Sequence, residues 1–232
     1  MPDIQSTPEK SIFETVLAST IHDMKNSLGL LMGQLDSITN MLDETRKDHH
    51  LALSSVRYET SRLNLSLMQL LTLYKLDKKQ LHVAIGEVEV IEFIEDCIAA
   101  FIPLAESKNI ALNIECDEEL IWFFDKNLTG IAINNIIGNC IRYTKTKVLV
   151  TAYLCEQMLN FEIIDDGVGY PEDMLNEQGN FIKSVNQSTG STGLGLFFTE
   201  TVANLHHRKG RTGSIALENT ENGGGLFRLL LP

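Results

Sequence analysis

The sequence predicts an α plus α/β protein, in which an antiparallel helical hairpin over residues 1–80 is followed by an α/β sandwich over residues 81–232. Three observations lead there. An apolar repeat in alternating three- and four-residue steps runs through the first third, this pattern stops around Lys78 to Glu89, and beyond it helical and strand periodicities alternate.

The repeat begins with Phe13, Leu17, Ile21, Met24, Leu28, Leu31, Leu35, Ile38 and Leu42, the seam of a coiled-coil-like helix. A break rich in charge and histidine, Asp43 to His50, separates it from a second helical run marked by Val56, Leu63, Leu67, Leu70 and Tyr74. A lone hairpin of this kind leaves a stripe of Leu, Ile and Met facing water. Pairing with a second copy into a four-helix bundle removes that exposure, so a homodimer is expected.

At the junction Gly86 appears and LHVAI reads as strand. The second domain then reads as helix (Val90 to Ser107), strand (Ile110 to Cys116), strand (Leu120 to Phe124), helix (Asn127 to Tyr143), strand (Lys147 to Leu154) and strand (Leu159 to Asp165). After a loop-rich stretch from Gly167 to Gly190 a helix starts near Gly195, and GSIALEN and GLFRLLLP form a terminal β-hairpin.

Composition narrows the function. With 44% hydrophobic residues the chain can bury a real core, and a net charge of −12 disfavours nucleic acid and anionic membrane surfaces as partners. No apolar run approaches a bilayer span and MPDIQSTPEKS lacks the features of a secretory signal, which predicts a cytoplasmic chain. Cys97, Cys116, Cys140 and Cys155 are too scattered for a zinc site or a disulfide framework and read as reduced, mostly packed thiols. An acidic protein that binds a triphosphate needs local devices such as backbone N–H groups, helix N-termini and a cation.

Four segments supply candidates. In STIHDMKNSLGLL, His22 falls beside the buried seam, so its imidazole projects to solvent from a rigid backbone, as a nucleophile requires. Asp23 can fix its tautomer and Asn26 lies one turn along. His49, His50, His82, His206 and His207 lack such a setting and read as surface or loop residues. In NNIIGNCIRYT, Asn135, Asn139 and Arg142 line one helical face, where a carboxamide oxygen suits magnesium and a guanidinium suits phosphate. In IIDDGVGYP a strand runs into Asp165, Gly167 and Gly169, glycines that let backbone approach a flat ring and a carboxylate that can accept an adenine amine. In STGSTGLGLFFTETV, Gly193 and Gly195 precede a helix whose N-terminus can hold phosphate. Each segment also has a plain reading: a surface histidine, a solvated polar face, a turn after a strand, and a helix cap at Ser191 or Thr192.

In this order the segments resemble the H box, N box and two glycine boxes of sensor histidine kinases, from about Ile12 to the final LLLP. The resemblance implies a Bergerat-type ATPase sandwich, the fold shared with DNA gyrase and the mismatch-repair ATPases, and the chain has no GxxxxGK[ST] motif. It implies ATP with Mg²⁺ as cofactors, His22 as phosphoacceptor with Asp23 as its orienting acid/base, and phosphotransfer to an aspartate of a response regulator. Asn139 would ligate magnesium, Asn135 and Arg142 would flank the phosphates, and Tyr143 would line the nucleotide pocket. Asp165 would read adenine beside Gly167 and Gly169, while Gly193 and Gly195 support a lid carrying Lys183 toward the phosphates and anchored by Phe181. Asn26 stands where related kinases orient a water for dephosphorylating the regulator. Three positions depart from the family pattern: Ser27 replaces a proline, Ser191 a glycine, and Gly225 a threonine near adenine. Barely a dozen residues precede the seam, so any signal is expected to come through another protein, a sensor acting in trans, or through a portion of the gene absent here. The competing reading is a non-catalytic phosphotransfer or scaffold protein with a decayed nucleotide domain.

Overall fold

A computed structural model of the chain describes residues 20, 23, 24, 26, 27, 29–31, 33, 34, 46–176 and 194–232. The described residues between 20 and 34 are all helical, and they continue through Ser27 with its side chain buried. Helix α1 (Arg46–Asp77) follows. It starts inside the stretch read as a break, because Asp43 to His50 contains no Gly or Pro to remove a helical hydrogen bond.

The chain then crosses to a sandwich. LHVAI is not a strand; the strand is β1 (Gly86–Glu89), which leads into α2 (Val90–Ala99) and α3 (Ile102–Ser107). The single helix expected over Val90 to Ser107 is thus two. Pro103, at the start of α3, has no N–H and its ring excludes the carbonyl four residues back, so the helix stops and restarts. Next come β2 (Ala111–Cys116), β3 (Ile121–Phe124), α4 (Lys126–Tyr143), β4 (Lys147–Cys155), β5 (Met158–Asp165) and the short α5 (Glu172–Asn176). Following residues 177–193, which lie outside the described residues, α6 (Leu194–Leu205) leads to a small hairpin, β6 (His207–Arg208) with β7 (Arg211–Thr212), and then to β8 (Ser214–Thr220) and β9 (Gly224–Leu231).

Strands β2-β4-β5-β9-β8 form one mixed sheet in that spatial order, with β2 and β4 parallel and the remaining pairs antiparallel. Strands β1 and β3 form a separate antiparallel pair. Alternate residues of β4, β5 and β9 (Val150, Phe161, Ile163, Phe227, Leu229) are fully buried beneath Ile133 and Ile137 of α4. Phe93, Phe124 and Phe161 meet edge-to-face, with centroids 5.0 to 5.9 Å apart, and tie α2 and β3 to the sheet.

One face of α1 packs on the sandwich: Leu73 clusters with Leu128, Ala132, Leu194, Phe198 and Val202, and the Tyr58 hydroxyl donates to the Gly138 carbonyl at 3.1 Å. Leu67, Met68, Leu71 and Tyr74 remain exposed on the same helix.

His206, expected as a surface or loop residue, lies outside helix and strand but is not at the surface. It is buried at the end of α6, its Nδ1 bonded to the Val202 carbonyl at 2.8 Å and its Nε2 accepting the Asp125 N–H at 3.0 Å. Asp125 in turn caps α4 through Oδ1 and accepts the Ala84 N–H through Oδ2 at 2.8 Å, so one buried node joins the segment before β1 to two helices. Among the described residues no helix is long and apolar enough to cross a membrane.

Candidate nucleotide site

The site is built along α4, whose buried apolar face fixes the orientation of its polar one. Asn139, Arg142 and Tyr143 are exposed and Asn135 is half-buried, while Ile136, Ile137 and Ile141 are inside. Arg142 lies over the Tyr143 ring, 5.4 Å from its centroid. Asn135 and Tyr143 are eight residues apart, a rise of about 12 Å along the axis, the length scale of a nucleoside triphosphate.

At the Tyr143 end sits Asp165, the last residue of β5, whose Oδ1 accepts the Gly167 N–H at 2.7 Å. Gly167 is glycine for want of space: a Cβ there would lie 2.5 Å from the Tyr143 carbonyl oxygen. Gly169 turns the chain at φ +73, and beyond it the Asn219 amide holds Tyr170 from both sides, accepting its N–H at 2.6 Å and donating to its carbonyl at 2.9 Å. Gly225 leaves room for the other half of the carboxylate, since a Cβ would lie 2.7 Å from Asp165 Oδ2 and 3.0 Å from the Tyr170 ring. The ring of Tyr170 therefore occupies the space that a larger residue at position 225 would need.

Cys140 and Tyr170 complete this end. Burial pushes the Cys140 thiol well above its ordinary range, reinforced by the charge of Asp165 and a hydrogen bond to it. Burial likewise raises the Tyr170 phenol, helped by Cys140 and Asp165. Both groups stay protonated at neutral pH, so Asp165 faces uncharged neighbours here.

At the other end, Gly195 in the first turn of α6 packs against the Asn135 amide, and a Cβ would lie 2.6 Å from its Cγ. The Asn135 Nδ2 is buried without a hydrogen-bond partner among the described residues. An unpaired buried donor beside a helix N-terminus is the arrangement that accepts an anion.

Asp166, for which the sequence carries no motif, braces the turn after α4 against the end of β5. Its carboxylate accepts the Thr144 and Thr146 hydroxyls, each at 2.5 Å, and the backbone N–H groups of Lys145 and Thr146 at 2.9 Å and Lys147 at 3.2 Å. Burial opposes the charged form, but these hydrogen bonds outweigh it and hold the carboxyl well below the usual range. No spacing rule links Asp166 to residues some twenty positions away, and the same holds for Asn219. The structure thus brings Asp165, Gly167, Gly169 and Tyr143 together, and separately Asn135 with Gly195. Asp23 and Asn26 lie on helical positions, whereas His22, Phe181, Lys183 and Gly193 fall outside the described residues.

Residues 125–232 match the family of histidine kinase-, DNA gyrase B- and HSP90-like ATPases. This ATP-binding domain accompanies wider similarity. The sensor histidine kinase TmoS of Ectopseudomonas mendocina is 24% identical over 93% of this chain and 22% of its own length. The sensor histidine kinase HprS of Escherichia coli is 26% identical over 91% of this chain and 45% of its own. In fold, the Acinetobacter baumannii histidine kinase AdeS aligns with a TM-score of 0.61 at 18% identity, covering 90% of this chain and 96% of that one. Full-length ShkA in complex with AMPPNP aligns at 0.62 and 17% identity, over 94% of this chain and 45% of that one. Residues 125–232 thus carry a histidine kinase-, gyrase B- and HSP90-like ATPase domain, and the chain spans from 22% to 45% of the length of these two sequence relatives.

Proposed function

We propose that the chain is the catalytic core of a two-component histidine kinase, which phosphorylates His22 from ATP and passes the phosphoryl group to an aspartate of a response regulator. The observation that carries this reading is the Asn135 donor, without a partner among the described residues, against the first turn of α6, in line along α4 with an Asp165 carboxylate walled by Gly167 and Gly225. One end suits phosphate and the other an adenine ring with its exocyclic amine.

In this reading Asp165 accepts the adenine amine, Tyr143 borders the base, and Asn135, Arg142 and Gly195, with Gly193 and Lys183 of the lid, surround the phosphates. The described residues contain no cluster of three His, Cys, Asp or Glu that could hold a metal. Magnesium fits a site where the exposed Asn139 amide supplies one oxygen and phosphate and water supply the rest. The ion would neutralise phosphate charge, while the protein supplies alignment of the γ-phosphoryl with the His22 imidazole. Asp23 orients that imidazole, and Asn26 orients water when the regulator is dephosphorylated. Residues 1–80 act as the phosphotransfer hairpin and 81–232 as the catalytic domain. The exposed Leu67, Leu71 and Tyr74, spaced along one face of α1, favour a homodimer.

Purified chain given ATP labelled at the γ position and Mg²⁺ should acquire an acid-labile, alkali-stable label that is absent from His22→Gln and from Asn139→Ala. Label acquired only from a phosphorylated regulator would support the scaffold reading instead.

A further inference from the structure

The β6–β7 hairpin is an appendage. Its base is closed by the Gly213 N–H donating to the His206 carbonyl at 2.8 Å, and its tip turns through Lys209 and Gly210, both at positive φ. It carries Arg208, Lys209 and Arg211, three of the 19 Lys and Arg of a chain with net charge −12. Arg211 donates to the Glu156 carbonyl, and Arg208 lies 5.6 Å from the Trp122 ring and 5.7 Å from the Phe123 ring. The Arg208 contacts seat the hairpin along β3, and the Arg211 contact ties it to the β4–β5 turn.

The β1–β3 pair presents an outward face there. Its inward residues are Val88, Trp122 and Phe124; its outward ones are Phe123 opposite Glu87, and Ile121 opposite Glu89. Ile121 is 46% and Phe123 42% exposed, and both glutamates are exposed with no ion-pair or hydrogen-bond partner among the described residues. Read across the face, the order is acidic (Glu87, Glu89), apolar (Phe123, Ile121) and basic (Arg208, followed by Lys209 at the hairpin tip).

A patch carrying both signs on either side of an apolar strip is complementary to itself, because a two-fold axis through the strip lays each acidic edge on the other copy's basic edge. An acidic partner or an anionic membrane would meet the glutamates as like charges. We propose that this face binds the same face of a second copy, a contact between catalytic sandwiches distinct from hairpin pairing. Two apolar side chains and four charges fall well short of the ~800 Å² per partner of a stable interface. The contact is therefore weak, with dissociation on the order of 0.1–1 mM, and acts by linking molecules that are already paired. That linking role rests on the homodimer reading above; the contact itself does not.

Sedimentation velocity of the full chain at low salt tests it. If the hairpins pair, the weight-average mass should climb beyond a dimer with concentration; if they do not, the same face should convert monomer to dimer, so the two readings fail separately. Lys209→Glu and Glu87→Lys should each lower the association constant about fivefold, roughly twofold for each of the two ion pairs that the two-fold axis generates, and combining them should restore it. Thermal midpoints and nucleotide binding should not move, since neither side chain has a partner in the fold. Mass independent of concentration, or a combined variant no better than the single ones, would overturn the proposal. Single reversals acting in opposite senses would also overturn it, and would assign the face to a partner of one charge sign.

Discussion

Replacing Asp166 with alanine removes a carboxylate that accepts two hydroxyls and three backbone N–H groups from the segment Thr144 to Lys147. A hydrogen bond to a charged group contributes about 1.5–3 kcal/mol when buried and less where water can substitute. Lys145, Thr146 and Lys147 are exposed, so we discount to about 0.5 kcal/mol for each of five bonds, or about 2.5 kcal/mol in all. At roughly 2–4 °C per kcal/mol for a protein of this size, the midpoint should fall by about 5–10 °C. Urea denaturation followed by circular dichroism measures the difference, and nucleotide titration should show weaker binding because Asp165 precedes the loosened turn. The native carboxyl is held below its unfolded value of about 3.9, so its contribution is complete above that pH and is lost as pH falls toward the native value. A loss below about 0.5 kcal/mol, or one as large at pH 2 as at pH 7, would refute the bracing role.

Three further outcomes follow from the same packing. Burial lowers the native pKa of His206, so stability should be full above its unfolded value of about 6.5, decline as pH falls from there to the native value, and lose that slope in His206→Gln; denaturation series between pH 8 and 5 measure it. Tyr58→Phe removes the hydroxyl bond from α1 to the Gly138 carbonyl and should cost about 0.5–1.5 kcal/mol, with faster protease cleavage of the linker near Lys78 to Ile85 as the local readout. Gly225→Ala should crowd Asp165 and Tyr170, costing the fold about 1–2 kcal/mol and nucleotide affinity about tenfold, with much of both recovered when Tyr170→Ala is added; calorimetry of nucleotide binding measures the recovery.

Much of this protein was legible before any coordinates. The strands after Lys147 and the helix through Tyr143 followed from local periodicity, because burial on one face repeats every second or every third to fourth residue wherever the partner lies. Asp165, Gly167 and Gly169 stood out because glycine beside a strand end is a local backbone requirement. What stayed hidden was long-range. His206 looked like a loop histidine, yet the Asp125 N–H and the Val202 carbonyl give its ring two buried partners, the first eighty-one positions away in sequence. Asp166 and Asn219 act on segments twenty and forty-nine residues distant, separations that no pattern in one chain records.

Sequence by itself therefore determined the elements, the glycine seats and the candidate list of polar residues, all matters of backbone conformation and of which face is apolar. Tertiary structure alone decided the strand order, the seating of α6 against Asn135 and the acid–apolar–base order of the β1–β3 face. These depend on which buried groups find partners once the sheet is assembled, and hydrogen bonding and close packing are satisfied in space, without regard to distance along the chain.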